Sequence, residues 1–184
     1  MIMNCPVCMT VELTAADLDE RLPAHACSQC GGAWLSSAEY WRWLEAHGPV
    51  LPEKRYDGPP IRADDNPQIK ICPECSRLML RYTVGHGTGI GLDQCGTCNG
   101  IWFDRGEWDV LKARNLHDEI NLVFTAPWQS AVRKEEARVR LEALYRRRFG
   151  DDYYEIKRMR DWIYSHPERD QILAFLTDLD PYLA

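Results

Sequence analysis

The sequence predicts a small metal-stabilised α+β fold: two four-cysteine metal-binding units, each leading into a short helix, followed by an α-helical C-terminal region. Three observations predict it. All eight cysteines fall into two sets of paired CxxC motifs. A tryptophan and a helix-start signature follow each set at the same offset. The last third of the chain carries apolar residues at helical spacing.

The first set is Cys5, Cys8, Cys27 and Cys30, and the second is Cys72, Cys75, Cys95 and Cys98. A CxxC pair puts two thiolates on one tight turn. A second pair, returned by a hairpin, completes a tetrahedron. Intervals of 18 and 19 residues between the pairs fit Cys₄ zinc ribbons, so two Zn²⁺ per chain are expected, with iron as the rival metal for the same ligands. A disulfide scaffold and a thioredoxin-like redox pair are the competing readings. Residues 1–4 lead straight into the first motif without a secretory signature, so reduced thiols and a cytoplasmic location are expected. A redox CxxC belongs in a βαβ setting and is not expected four times over.

The repeat continues past the ligands. Gly31-Gly32-Ala33-Trp34-Leu35 follows the first set and Asn99-Gly100-Ile101-Trp102-Phe103 the second. Small residues after the second CxxC let the backbone curl round a metal with positive φ. Trp34 and Trp102 are expected to pack on their own zinc knuckles. Ser36–Glu39 and Asp104–Glu107 each read as a capping residue with glutamate three positions on, and Leu35/Tyr40 and Phe103/Trp108 occupy the staple positions. Each unit should therefore feed directly into a helix, the first ending at His47-Gly48-Pro49.

This arrangement, CPxC, about twenty residues, CxxC-G/N-G-x-W-L/F and a capped glutamate, resembles the TFIIB-type zinc-ribbon family. The second copy is closer; the first departs at Ser36-Ser37-Ala38. The resemblance implies two tandem zinc-bound ribbons and, being a likeness of fold, little about activity.

The expected organisation is ribbon 1 with its helix over 1–47, a linker over 48–68 holding five prolines, ribbon 2 with its helix over 69–115, and the helical region over 116–184. The linker should be extended and semi-rigid, keeping the ribbons apart, so that Cys95→Ser unfolds only the second. Val11 and Leu13 suggest a strand, residues 15–22 a helical turn, and Leu78, Leu80 and Tyr82 another strand. Gly85–Gly91 reads as a hairpin tip, with His86 in solvent. In the last third, three stripes are expected to pack as a small bundle: Ala137 to Phe149, Ile156 to Ile163, and a third after Pro167.

Charge narrows the function. Residues 1–111 hold nine Lys or Arg against fifteen Asp or Glu, and two Zn(Cys)₄ centres would deepen that net −6 to about −10. Nucleic-acid affinity needs the opposite sign, so the ribbons lack its footprint. A basic run does occur on the predicted helix at Arg133, Lys134, Arg138, Arg140, Arg146, Arg147 and Arg148, interspersed with Glu135, Glu136 and Glu142. Those seven residues are the candidate contacts for a partner or a nucleic acid. No apolar run is long enough to span a membrane. The five histidines are scattered, no GxSxG serine occurs, and His117-Asp118-Glu119 lacks the PCxxC of a zinc deaminase. No enzymatic activity is therefore expected. The leading expectation is a protein-interaction module with an unidentified protein partner. A nucleic-acid-binding or transcription-associated role comes second, and a redox- or zinc-sensing role third.

Overall fold

The computed structural model of the chain describes residues 2–48 and 51–179; Pro49, expected to help stop the first helix, lies outside them. Residues separate into two compact units, Met1–Arg133 and Lys134–Ala184.

The first unit holds a six-stranded antiparallel sheet. Its strands are β1 (Thr14–Asp19), β2 (Leu22–Ala26), β3 (Ala33–Leu35), β4 (Met79–Thr83), β5 (Gly91–Cys95) and β6 (Ile101–Phe103), in the order β1-β2-β3-β6-β5-β4. Each ribbon contributes three strands, and the order reads the same from either edge. The ribbons join where β3 pairs with β6, with Ala33 opposite Phe103, Trp34 opposite Trp102, and Leu35 opposite Ile101. The expected separation of the ribbons by the linker is thus replaced by one continuous sheet. The helical turn expected at 15–22 is also replaced, by the β1–β2 hairpin, with Arg21 taking the left-handed turn conformation at φ 58°. Asp17 and Asp19 made this stretch look polar and helical, but β1 is an edge strand in which every residue is exposed or half-buried, with no strict alternation. In β4 the phase is opposite to that expected. Met79 is buried, while Leu78 and Leu80 are exposed.

The sheet has two apolar faces because successive side chains on a strand alternate. On one, Trp34 and Trp102 pack with Leu13, Met79 and cysteines of both sets. On the other, Leu35, Phe103, Leu22 and Leu92 lie beneath α1 (Ser37–His47), α2 (Glu107–Ala113) and α3 (Ile120–Val123). Helix α1 starts as expected: Ser36 Oγ accepts the Glu39 N–H at 3.2 Å, and Gly48 ends it at φ 94°. Helix α2 starts two residues later than the Asp104 cap predicts: left-handed Gly106 (φ 83°) is its N-cap, and no side chain caps it. Glu107 Oε2 accepts the Asp104 N–H at 2.8 Å, and the Asp104 carboxylate is engaged elsewhere.

Trp34 and Trp102 pack in the layer that holds the cysteines, and each also reaches across to the other ribbon. Trp34 lies against Gly100 of ribbon 2, and Trp102 against Gly32 of ribbon 1, in each case where a Cβ would stand. Neither glycine has positive φ, so glycine is required there for space alone. Antiparallel pairing of the two strands aims each indole across the junction. On the opposite face, Trp108 Nε1 donates to Asp19 Oδ2 at 2.9 Å, Tyr40 Oη donates to the His117 carbonyl at 3.3 Å, and the Trp43 and Trp108 rings meet edge to face at 5.8 Å. Both faces therefore bind ribbon to ribbon.

Residues 51–68 have no regular secondary structure yet are not a free spacer. The Leu51 N–H donates to Asp118, Lys54 and Asn115 exchange two hydrogen bonds, and the Asp64 N–H donates to the Arg105 carbonyl. Leu51, Ile61 and Ala63 pack against the helical-face core.

The boundary expected near residue 116 moves to Arg133. Leu116, Ile120 and Val123 are buried in the ribbon core. The first turns of α4 (Ala126–Phe149) belong to that unit too: Trp128 Nε1 donates to the Val84 carbonyl at 2.9 Å, and Gln129 Nε2 donates to the Thr83 carbonyl at 2.9 Å. The 85–91 loop is a hairpin tip, as expected, though exposed His86 leans against Trp128, the rings tilted with centroids 5.0 Å apart, instead of standing free in solvent.

The second unit contains the rest of α4, a short 3₁₀ turn (Gly150–Asp152), α5 (Tyr153–Ser165) and α6 (Arg169–Thr177). The expected bundle core does not form. Of its described residues only Tyr153 and Ile163 are buried apolar side chains, and Leu141, Tyr145, Met159, Trp162, Phe175 and Leu176 are exposed.

The tryptophan exchange has a direct test. Gly100→Ala should lower unfolding stability by about 1–3 kcal/mol through overpacking against Trp34, whereas Gly96→Ala, with no neighbour within 4 Å of the added methyl, should be near neutral. Thermal unfolding of both variants reads the contrast.

Candidate metal centre

Each sulfur cluster is assembled from two knuckles. In the first of each ribbon, the fifth residue of the CPxC-x turn is left-handed: Met9 at φ 66° and Ser76 at φ 57°. Their N–H groups donate to the Cys5 and Cys72 carbonyls at 2.8 and 2.9 Å. The second knuckle turns at Gly31 (φ 73°) and Asn99 (φ 58°), again bonded to the first cysteine of the pair at 2.9 Å. The positive φ expected after the second CxxC is therefore realised, with asparagine tolerated in place of glycine because its short polar side chain suits that region.

The four sulfurs of each set lie within 4.8 Å of one another, and these are the two such groups among the described residues. Individual separations are 3.6 Å for Cys5–Cys30, 3.8 Å for Cys8–Cys27, 3.6 Å for Cys72–Cys98, 3.4 Å for Cys75–Cys95 and 3.9 Å for Cys75–Cys98. A tetrahedron with Zn–S bonds of about 2.3 Å has edges of about 3.8 Å. The spacing fits zinc and is far beyond a disulfide's S–S bond of about 2.05 Å. Backbone N–H groups of Cys8 and Cys75 donate to the Cys5 and Cys72 sulfurs at 3.3 and 3.4 Å, where they would stabilise thiolates. Each set can bind one zinc ion, held by four sulfurs with no open coordination position. Zinc so bound contributes folding free energy and not a reactive water.

Burial pushes the metal-free thiols of Cys5 and Cys72 far up, and those of Cys30 and Cys98 to about 11. Burial also opposes ionisation of Cys27 and Cys95. Backbone N–H groups at Gln29 and Cys30, and at Thr97 and Cys98, aided by neighbouring thiols, outweigh it and bring both to about 7. Cys5, Cys30, Cys72 and Cys98 must therefore lose a proton on zinc uptake.

Residues 4–46 and 71–114 each match the transcription factor zinc-finger family, a TFIIB-type zinc ribbon. The chain carries two tandem TFIIB-type zinc ribbons. No curated protein and no solved structure matches the chain. The helical remainder lies outside the matched segments.

The two TFIIB-type ribbons differ in a buried ionic network that the sequence reading missed. In ribbon 2, Lys70 is fully buried. Its Nζ donates to Asp93 at 2.8 Å and to the Asn66 carbonyl at 2.6 Å, with Asp104 at 3.5 Å. Arg81 joins from the side, pairing with Asp93 at 2.7 Å and with Asp65. Asp104 also accepts the Trp102 indole N–H at 2.8 Å and the Asn66 N–H at 2.8 Å. The network thus fixes the end of the linker, the ribbon and the exchanged tryptophan together. At the matching offsets from the cysteines, ribbon 1 has Met3, His25 and Ser36 in place of Lys70, Asp93 and Asp104. The paired occurrence of lysine two before CPxC and aspartate two before CxxC was the available signal.

The seven basic residues on α4 are not gathered into one site. Arg138 pairs with Glu135 and Glu142, Arg140 with Glu136, and Arg146 with Glu142. Arg133, Lys134, Arg147 and Arg148 have no ion pair among the described residues. They fall at the two ends of the run, about 20 Å apart at 1.5 Å per residue.

Two outcomes follow from this geometry. Cys95→Ser should cost more than the second zinc, because ribbon 1 packs on Gly100 and Phe103. Native mass spectrometry under a competing chelator should show the first zinc released at a lower chelator concentration than in the wild type. Unchanged retention of the first zinc would return the ribbons to independence. Glu107 supplies a pH test. Burial, with the Asp104 charge adding to it, lifts its carboxyl to about 9 against the opposing Asp104 N–H bond. A raised folded-state value means that the stability the proton confers is full below the ordinary 4.5 and is lost as pH rises towards 9. Glu107→Gln keeps a neutral acceptor, so its stability relative to wild type should grow between pH 6 and 8.5, by at most about 1.4 kcal/mol per pH unit. Urea unfolding of zinc-loaded protein across that range measures it.

Proposed function

We propose that this chain is a zinc-stabilised protein-interaction module. The paired ribbons form its metal-braced scaffold, and the helical unit Lys134–Ala184 supplies docking faces for another polypeptide. The observation that carries this reading is the apolar cleft between α5 and α6, where Met159 is 54% exposed, Trp162 58% and Leu176 56%. Scattered exposed apolar residues are ordinary, but a contiguous run of large ones marks an interaction site. Four-sulfur zinc sites support a structural role for the metal and give no support to catalysis.

A nucleic-acid role through α4 has less support. Three of its seven basic side chains are already held by glutamates on the same helix, and the ribbon half is acidic. Among the described residues no helix is long and apolar enough to cross a membrane. Eight free thiols suit a compartment that keeps them reduced, such as the cytoplasm.

A photo-reactive amino acid in place of Trp162, in the full chain expressed in its native cells, should give covalent protein adducts on irradiation. The same probe at exposed Arg77, on a ribbon knuckle, should give few. Absence of adducts at 162, or equal adducts at both positions, would count against the reading.

A further inference from the structure

The two metal sites have the same four-sulfur ligand set but different support. In ribbon 2, Lys70 stands two residues before Cys72, and Asp93 two residues before Cys95. Their buried ion pair at 2.8 Å therefore joins the two segments that lead into the knuckles, with no metal in the link. Arg81 of β4 reinforces it, bonding to Asp93 and to the same Asn66 carbonyl that Lys70 holds. In ribbon 1 the matching residues are Met3 and His25, a pair that cannot form a salt bridge. Burial divides the same way. Gly91, Leu92 and Asp93 ahead of Cys95 are all buried, whereas of Pro23, Ala24 and His25 ahead of Cys27 only Ala24 is. The β4–β5 ladder is regular over five pairs up to Met79 and Cys95, whereas the β1–β2 ladder shifts register between Asp17 and Asp19.

We propose that Lys70 and Asp93 are positioning residues for the ribbon 2 metal site, and that the chain therefore holds its two zinc ions unequally: ribbon 2 retains its ion, and ribbon 1 is the site that exchanges zinc. A four-thiolate site must keep two knuckles together, and the metal itself is usually the main link between them. When a sulfur of ribbon 2 lets go, the Lys70–Asp93 link keeps it within reach of the ion, and a high effective concentration favours rebinding. Ribbon 1 has no such link, so its knuckles separate more readily and the ion escapes. The buried pair is costly to desolvate, and its benefit is the geometry that it fixes. The junction makes the exchange reversible. Ribbon 2, kept intact, still offers β6 to β3 and Gly100 to Trp34, a template on which ribbon 1 closes again when zinc returns.

Pulsed alkylation of the zinc-loaded full chain tests the proposal. Excess chelator is added, samples are treated with N-ethylmaleimide at intervals, and peptide mass spectrometry reads the two cysteine sets. The ribbon 1 set should be labelled at least about tenfold faster than the ribbon 2 set, the lower end of what outer support is worth to a metal site. A one-zinc chain with the ribbon 2 set still protected should accumulate in between. Lys70→Met gives ribbon 2 the residue of ribbon 1 and leaves Asp93 paired with Arg81, and it should remove most of the difference. Gly100→Ala strains the junction without touching the Lys70–Asp93 link, so it should preserve the order. Native mass spectrometry at saturating zinc checks that each variant binds two ions. A Lys70→Met chain that keeps only the ribbon 1 ion is the extreme of the expected effect. Equal rates in wild type, or faster labelling of the ribbon 2 set, overturn the proposal without recourse to any variant. So does an order that Lys70→Met leaves unchanged, or that Gly100→Ala abolishes equally.

Discussion

Trp34 and Trp102 each lie over a glycine of the opposite ribbon, and this exchange is the constraint on which the rest of the first unit depends. Three-residue strands such as β3 and β6 are too short to be stable alone. Paired with each other, they turn two three-stranded ribbons into a six-stranded sheet and place both indoles in the apolar layer that holds the cysteines. Each ribbon is about 45 residues, below the size at which a hydrophobic core suffices. The junction gives each one a second source of apolar burial besides its metal. It also accounts for the helical face, where Trp43 of ribbon 1 meets Trp108 of ribbon 2 and Asp19 receives the Trp108 indole N–H.

The two ribbons solve the same packing problem with different chemistry. Ribbon 2 buries Lys70 against Asp93 and Asp104, which also hold Arg81, Asn66 and the Trp102 indole. Such a network is costly to desolvate and strongly destabilising when broken, so its value is in fixing geometry more than in raw stability. Its atoms reach the end of the linker at Asp65 and Asn66, while Asp118, Asn115 and the Arg105 carbonyl hold the stretch before them. Ribbon 1 has Met3, His25 and Ser36 at the matching places. Ser36 is free to cap α1 through its hydroxyl, whereas Asp104, already committed, leaves Glu107 to complete the turn from the other side. Glu107 is held with one oxygen bonded and the other without a partner, consistent with a carboxyl that keeps its proton.

Local chemistry was legible in the sequence where it depends on near neighbours. Cysteine spacing identified both metal sites, and Ser36 with Gly48 marked the start and end of α1. The turn at Gly85–Gly91 was also readable. What was not legible depends on residues far apart in the chain. A proline-rich stretch looks like a spacer until its N–H groups are seen to donate to Asp104, Asn115 and Asp118. A tryptophan after a knuckle looks local until strand pairing carries it across the junction. Polar residues 15–22 read as helical because an edge strand does not need the strict alternation of a buried one. In the last third, periodicity located α5 and α6 well, but periodicity alone cannot say whether an apolar stripe meets its own chain. Here the stripes of α5 and α6 face each other across an open apolar cleft, and Trp162 and Leu176 stay more than half exposed in it.

If the β3–β6 junction makes one cooperative unit of the two ribbons, hydrogen exchange in the zinc-loaded protein measures it most directly. Amides of Ala33–Leu35 and Ile101–Phe103 should exchange with one common free energy of opening and should respond together to added denaturant. Exchange of the β3 amides by a separate opening, with those of β6 still protected, would contradict the account.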